Sequence, residues 1–140
     1  QVVNLLLELQ ERLKLTVVFV AHDLRLVRHI SHRVAVMYLG KVVEIAPTEA
    51  LFTAPRHPYT RALLQAAPEI DPTRRTRVVA AKGELPSPIN LPAGCLFSTR
   101  CPLAFDRCRS ERPVLMARGP GQMAACHLTE FGLSVSESPT

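Results

Sequence analysis

The chain has 140 residues, enough for one ordinary domain or two small modules. Hydrophobic residues make up 47% of it and aromatic residues only 5%, and the net charge is +5. We expect neither a secretory signal nor a membrane-spanning helix, because the longest apolar run, residues 17–21, is far too short to cross a bilayer. The basic residues are not interleaved with aromatic ones, which argues against a groove for single-stranded nucleic acid.

The first fourteen residues carry the pattern of an amphipathic helix. Apolar side chains recur at helical spacing on one face, while acidic and basic residues lie away from it. The helix runs from Gln1, which is not an initiator Met, so we expect the chain to be a piece of a longer protein.

A buried parallel strand is predicted over residues 15–20 (LTVVFV), because the run is β-branched and lacks polar alternation. His22 follows its C-terminal end, which is where open α/β sheets place ligand contacts. Position alone leaves His22 open as a surface residue, a cap or a phosphate contact. Asp23 is expected to cap a helix that ends near Ser31.

Further elements follow in order. A turn at Gly40 predicts a β-hairpin over residues 33–46, and Thr48 is expected to cap a short helix. Pro58 suits the first position of a helix that ends near Ala66, preceded by His57 as a cap. The predicted division is an α/β domain over 1–67, a Pro-rich linker over 68–93, a four-cysteine extension over 94–128 and a flexible tail over 129–140.

Residues 16–46 (TVVFVAHDLRLVRHISHRVAVMYLGKVVEIA) resemble the stretch around the switch histidine of ABC-transporter ATPases. The resemblance implies that residues 1–67 are the C-terminal part of an ABC-type P-loop ATPase domain. It also implies that His22 is the catalytic and cofactor-contacting residue. In that family the histidine contacts the γ-phosphate of an ATP that is bound, with Mg²⁺, between two ATPase subunits.

Two later stretches resemble the oligopeptide/dipeptide (or nickel) branch of ABC importers: APRHPYTRALLQA at 54–66 and LPSPINLPAGCLFSTRCPLAFDRCRSERPVL at 85–115. The implied function is that of an ATP-binding subunit that couples ATP hydrolysis to peptide uptake. The implied partners are a second ABC ATPase subunit, identical or homologous, and transmembrane permease subunits, with no nucleic acid. The implied location is cytoplasmic, on the inner face of the cell membrane.

Motifs for phosphoryl transfer are missing from this sequence. It contains no G-x-x-x-x-G-K-[ST] phosphate loop, no Leu-Ser-Gly-Gly-Gln signature and no strand that ends in the Mg²⁺-binding and catalytic carboxylates. Phosphoryl transfer depends on these groups, so we expect the chain alone to be inactive.

Four cysteines, Cys95, Cys101, Cys108 and Cys126, are spaced C-x₅-C-x₆-C-x₁₇-C. The spacing leaves zinc, an iron–sulfur cluster and unmetallated thiols open, because it fits neither zinc knuckles nor a ferredoxin pattern. Arg100, Arg107 and Arg109 flank the cysteines and could offset the negative charge of a cluster, and His127 is a further candidate ligand. The resemblance to the peptide-import branch implies one 4Fe-4S cluster on the four cysteines, as a structural staple.

The sequence therefore predicts an α/β fragment of an ABC ATPase, with a parallel strand, helices and a β-hairpin, joined to a Pro-rich, cysteine-containing extension. The alternative is a free-standing basic, metal-binding module that regulates or binds nucleic acid. The missing phosphate loop and the pI of about 9.4 favour this alternative, whereas the His22 segment and the hairpin oppose it.

Overall fold

The computed structural model describes residues 1–67 and 81–128. The helices and strands, numbered in chain order, are α1 (Val2–Leu13), α2 (Leu24–Ile30), β1 (Arg33–Tyr38), β2 (Lys41–Pro47), α3 (Thr48–Thr53), α4 (Pro58–Ala66), α5 (Asp106–Ser110), β3 (Met116–Gly119) and β4 (Gln122–Ala124). The strands form one antiparallel sheet in the order β1-β2-β4-β3. None of the helices in these two ranges is long and apolar enough to cross a membrane.

The predicted hairpin is confirmed as β1 and β2. Leu39 and Gly40 connect the strands with φ angles of 47° and 76°. Two successive positive φ values match the twist of paired strands, and Gly40 adopts its value without the cost that a side chain would add. The register shifts after Val36, because Val36 faces Glu44 while Met37 faces Val42, so Val43 is the extra residue of a bulge.

The second hairpin, β3 and β4, completes the sheet from a distant part of the sequence. Glu44 and Ile45 of β2 pair with Ala124 and Met123 of β4, and the backbone N–H of Ala125 donates to the Val43 carbonyl at 2.9 Å. Strands from the ATPase-like region and from the cysteine-containing segment therefore form one sheet.

The core covers one face of this sheet and takes residues from both parts of the chain. Phe97, from the cysteine-containing segment, meets the Tyr38 ring edge-on at 5.3 Å between centroids and lies 5.4 Å from the Tyr59 ring. The buried apolar side chains are Val36, Tyr38, Val43, Ala46, Leu51, Phe52, Leu96 and Phe97.

The helix-start predictions are confirmed at Asp23 and Pro58 but not at Thr48. Pro58 opens α4. Thr48 lies inside α3 rather than before it, and its hydroxyl donates to the Ser31 carbonyl at 2.6 Å. The backbone N–H of Thr48 also donates to the carbonyl of His32, at 3.0 Å. Thr48 therefore ties α3 to the end of α2 instead of capping α3.

The predicted parallel strand over residues 15–20 was wrong for this chain. These residues form no strand, and Val18 and Val20 are 91% and 95% exposed. A buried parallel strand needs a hydrogen-bonded neighbour and cover on both faces, and the described residues supply neither beside 15–20. The apolar face of α1 is uncovered in the same way, since none of its residues is buried. The fold is thus a small α/β arrangement on an antiparallel sheet, as a C-terminal fragment of an ABC ATPase domain requires.

Two of the predicted segments fall wholly or partly outside the described residues. Residues 68–80 of the expected linker and the expected tail, 129–140, are among those outside. The rest of the linker, 81–93, contains no helix or strand.

Candidate functional site

His22 lies on the surface, between the extended residues 15–20 and the start of α2. The neighbouring Asp23 carboxylate accepts hydrogen bonds from the backbone N–H groups of Arg25 and Leu26, at 3.0 and 3.4 Å. These contacts satisfy two of the N–H groups at the helix start that have no partner within the helix. Asp23 therefore acts as a cap, and the imidazole of His22 is open to a ligand.

The helix that follows His22 is held against the rest of the molecule through α3. The Arg28 guanidinium lies 5.3 Å from the centre of the Phe52 ring. Its ion pair with Glu49, at 3.6 Å, is exposed to solvent and contributes little. The Thr48 contacts to Ser31 and His32 complete the attachment. The backbone that carries His22 thus ends on a helix with fixed contacts to the sheet.

Sequence reasoning missed a buried carboxylate, Glu44, at the centre of β2. Its two oxygens accept hydrogen bonds from the backbone N–H groups of Arg56, at 2.7 Å, and His57, at 2.9 Å. Burial raises the pKa of Glu44, against the opposing effect of these hydrogen bonds. The Arg56 side chain continues the network, because its Nε donates to Gln122 Oε1 of β4 at 2.9 Å. The signal in the sequence that could have indicated this network is the glutamate itself, because Glu44 interrupts the apolar run of residues 42–46 (VVEIA).

His57 has the capping role predicted for it and is 1% exposed. Its Nδ1 accepts a hydrogen bond from the backbone N–H of Tyr59 at 3.0 Å, so the ring proton is on Nε2, which donates to the Ala125 carbonyl. Burial lowers the pKa of His57 to about 4. The ring is therefore neutral at physiological pH and joins α4 to the end of β4.

The fold gathers the four cysteines into one region, all as free thiols. Cys108 lies on α5 and Cys126 follows β4; both are buried, whereas Cys95 and Cys101 are half-buried. Burial raises the pKa of Cys101 to about 12, and the charges of Cys126, Cys95 and Cys108 add to this effect. Each of the other three thiols is therefore within electrostatic reach of Cys101, although 17 residues separate Cys108 from Cys126.

The geometry was compared with what a metal requires. In the described ranges, no group of three or more His, Cys, Asp or Glu side chains is arranged to hold a metal ion. Zinc would draw four sulfurs to about 2.3 Å from one point. An iron–sulfur cubane binds each thiolate to a different iron, so it holds the sulfurs further apart. Four free thiols, three of them within electrostatic reach of Cys101, match the number of thiolates that a cluster needs, but they are not preassembled around a single ion.

The arginines near the cysteines differ from the sequence expectation. Arg107 binds Glu111 at 2.7 and 3.0 Å, and Arg109 binds Asp106 at 3.2 Å, so both are already paired with carboxylates. Sequence reasoning did not single out Arg112, although Arg112 is the arginine whose charge acts on Cys95. Compensation of a cluster's charge by Arg100, Arg107 and Arg109 stays a prediction.

His127 is buried beside Cys126, but its contacts are structural. Its Nε2 lies 2.9 Å from the Glu111 carbonyl oxygen, and its ring meets Phe105 edge-on with 6.4 Å between centroids. One ring nitrogen is thus engaged with the backbone.

Comparisons with known proteins cover both the ATPase-like region and the cysteine-containing segment. Residues 43–108 match the family model described as "Oligopeptide/dipeptide transporter, C-terminal region". A probable peptide ABC transporter ATP-binding protein of Sinorhizobium fredii is 50% identical over 140 residues, which cover 100% of this chain and 40% of the relative. The dipeptide transport ATP-binding protein DppF of Haemophilus influenzae is 48% identical over 126 residues, covering 90% of this chain and 38% of the relative.

A putative oligopeptide transport ATP-binding protein of Bacillus subtilis is 52% identical over 131 residues, covering 91% of this chain and 40% of the relative. The chain therefore spans about two fifths of the length of the relatives it matches. These matches do not support a free-standing module. Residues 43–108 therefore match the C-terminal region of oligopeptide/dipeptide transporters, and the whole chain corresponds to the C-terminal part of the peptide ABC transporter ATP-binding proteins that it matches.

Proposed function

We propose that this chain is the C-terminal part of an ATP-binding subunit that couples ATP hydrolysis to the import of oligopeptides or dipeptides through an ABC transporter. The observation that carries the proposal is the match of the whole chain, at 50% identity, to a probable peptide ABC transporter ATP-binding protein. The exposed His22, fixed at the start of a capped helix, supports it independently of the names of the relatives.

In the complete subunit, ATP and its Mg²⁺ supply the phosphoryl group and the charge that neutralises its oxygens. From this chain His22 would act at the nucleotide, because an imidazole can donate a hydrogen bond to a phosphate oxygen. Asp23 keeps its carboxylate on the backbone N–H groups of α2, where it caps the helix. The role of His22 is then to contact charge on the γ-phosphate.

The proposed partners are a second ABC ATPase subunit, which shares the nucleotide, and the transmembrane permease subunits. The proposed location is the inner face of the cell membrane. The uncovered apolar face of α1 and the exposed residues 15–20 are the surfaces that the rest of the ATPase domain would cover.

Two preparations test the proposal for the subunit: the 140-residue chain alone and the full-length subunit assembled with its permeases in lipid vesicles. We expect ATP turnover and peptide uptake only in the assembled transporter, because the phosphate loop, the signature and the catalytic carboxylates are not in this sequence. Clear turnover by a contaminant-free preparation of the chain alone would overturn the proposal.

We further propose that Cys95, Cys101, Cys108 and Cys126 hold one 4Fe-4S cluster that staples the extension. The support is the presence of four free thiols, three of them within electrostatic reach of Cys101, which matches the number of thiolate ligands of such a cluster. These residues tie α5, β4 and the segment around Phe97 together, so the bound cluster would reinforce contacts that the apolar core already makes.

The measurement is the content of iron, acid-labile sulfide and zinc after strictly anaerobic purification, because oxygen destroys such clusters. We expect about four irons and four sulfides per chain, and a lower content after any single Cys→Ser change. Stoichiometric zinc, or a protein that binds no metal, would contradict this assignment.

A further inference from the structure

Arg112, just after α5, holds the loop that leads into Cys95. Its Nη2 donates to the Pro92 carbonyl at 2.7 Å, and its Nε donates to the Gly94 carbonyl at 3.2 Å. A guanidinium presents several donors in a rigid plane, so one side chain fixes two carbonyls of the same loop. Hydrogen bonds from a charged donor are stronger than those between neutral groups.

The loop lies directly on the backbone of α5. The N–H of Cys95 donates to the Cys108 carbonyl at 2.7 Å. A Cβ atom on Gly94 would lie 2.3 Å from that same carbonyl oxygen and 2.6 Å from the carbonyl carbon of Arg109. This approach is possible only without a side chain at position 94, and it brings two of the four cysteines together at their backbones.

The chain that follows Cys95 is fixed by side-chain packing, because Leu96 and Phe97 are buried in the core. A cavity of about 140 Å³ lies beside the segment, and its lining includes Val43, Cys95, Phe97 and Arg112. The hydrogen bonds of Arg112 hold the residues that precede Cys95, and they add to the backbone bond between Cys95 and Cys108 that keeps the loop on α5.

We infer that Arg112 is a positioning residue of the four-cysteine site, because it holds the loop before Cys95 in place and so keeps Cys95 against the backbone of Cys108. The part of this inference that concerns metal rests on the proposed cluster. The part that concerns the two cysteines does not, because the loop contacts exist in the metal-free chain. The two parts can therefore fail separately.

The test uses the reduced, metal-free chain and follows hydrogen exchange at the Cys95 amide, which reports the bond to Cys108. In Arg112→Met we expect exchange at Cys95 to become faster by about tenfold or more, while amides of β1 and β2 keep their protection. The matched control is Arg109→Met, which removes a guanidinium of α5 that binds Asp106 and leaves the backbone of Arg109, which packs against Gly94, in place. Its exchange at Cys95 should equal that of the unmodified chain.

A second variant, Arg112→Lys, keeps the charge but can reach only one of the two carbonyls, so exchange at Cys95 should be intermediate. If the amides of the whole sheet exchange quickly in Arg112→Met, that variant is not folded, and Arg112→Lys then provides the test. The iron content of anaerobically purified protein should fall in the order unmodified chain, Arg112→Lys, Arg112→Met. Unchanged exchange at Cys95 in folded Arg112→Met would overturn the inference. Absence of iron in the unmodified chain would overturn the cluster alone.

Discussion

Glu44 Oε2 accepts a hydrogen bond from the backbone N–H of His57 at 2.9 Å, and both side chains are buried. This bond joins the central strand β2 to the start of α4. The His57 ring continues the connection to the Ala125 carbonyl, beyond β4. A strand of the ATPase-like hairpin, a helix and the strand that precedes Cys126 are thus linked through two adjacent buried groups.

Replacement of Glu44 by Ala should destabilise the chain strongly. The N–H groups of Arg56 and His57 would lose their acceptors, and a buried N–H group without a partner costs about 1–3 kcal/mol. We expect the free energy of unfolding to fall by about 2–5 kcal/mol, measured by urea denaturation of the reduced chain.

Glu49→Ala provides the matched control, because the Glu49 carboxylate is 74% exposed and its pairing with Arg28 lies at the surface. Its effect should stay within about 0.5 kcal/mol. Equal effects of the two substitutions would mean that the Glu44 contacts do not stabilise the fold.

His57 should make the chain sensitive to acid. Its folded-state pKa is about 4, against a usual value of 6.5, so the unfolded chain binds the proton more tightly. The contribution of neutral His57 to the free energy of unfolding is therefore present above pH 6.5 and is lost as the pH falls toward 4. The difference between the two pKa values corresponds to a decrease of roughly 3 kcal/mol in the free energy of unfolding.

The comparison is with His57→Asn, because asparagine can still cap α4 but does not titrate. Glu44 works in the opposite direction, since its raised pKa favours the protonated folded state, but it is present in both proteins. Urea denaturation between pH 7 and pH 4 should show a steeper loss of stability in the unmodified chain than in the variant. Parallel curves would exclude His57 as the acid-sensitive group.

Gly94→Ala should disrupt the contact between Cys95 and α5. The added methyl would lie 2.3 Å from the backbone oxygen of Cys108, so one of the two backbone segments must move. We expect a loss of about 1–3 kcal/mol in the free energy of unfolding, together with faster exchange at the Cys95 amide. The control is Gly83→Ala, whose methyl meets nothing within 4 Å, although its φ of +72° adds a local cost of about 1 kcal/mol. Only Gly94→Ala should change the exchange at Cys95.

Local signals in the sequence predicted the first four helices and the first hairpin, whereas α5 was not predicted. Asp23, Gly40 and Pro58 act within a few residues of their own position, and the structure places each of them where the sequence indicated. The pairing of β2 with β4 had no such signal, because its residues lie about 80 positions apart in the sequence.

Contacts between distant residues account for the remaining differences. Thr48 was expected to cap α3, but its hydroxyl instead donates a hydrogen bond to the carbonyl of Ser31, at the end of α2. Residues 15–20 carry the composition of a buried strand, yet composition cannot form a sheet without a neighbouring strand. The Arg112 contacts with Pro92 and Gly94 likewise depend on the close approach of two loops.

His22→Ala in the full-length, assembled transporter should lower ATP turnover by about 10²-fold or more while nucleotide binding stays largely intact. The reason is that a donor aimed at charge that develops on the γ-phosphate stabilises the transition state more than the bound substrate. The loss should therefore appear in kcat, with little change in KM for ATP. His29→Ala is the matched control, because His29 is also exposed and lies in the last turn of α2, the helix that follows His22. Turnover of the His29 variant should match the unmodified transporter, and equal turnover in the His22 variant would reduce His22 to a surface residue beside the Asp23 cap.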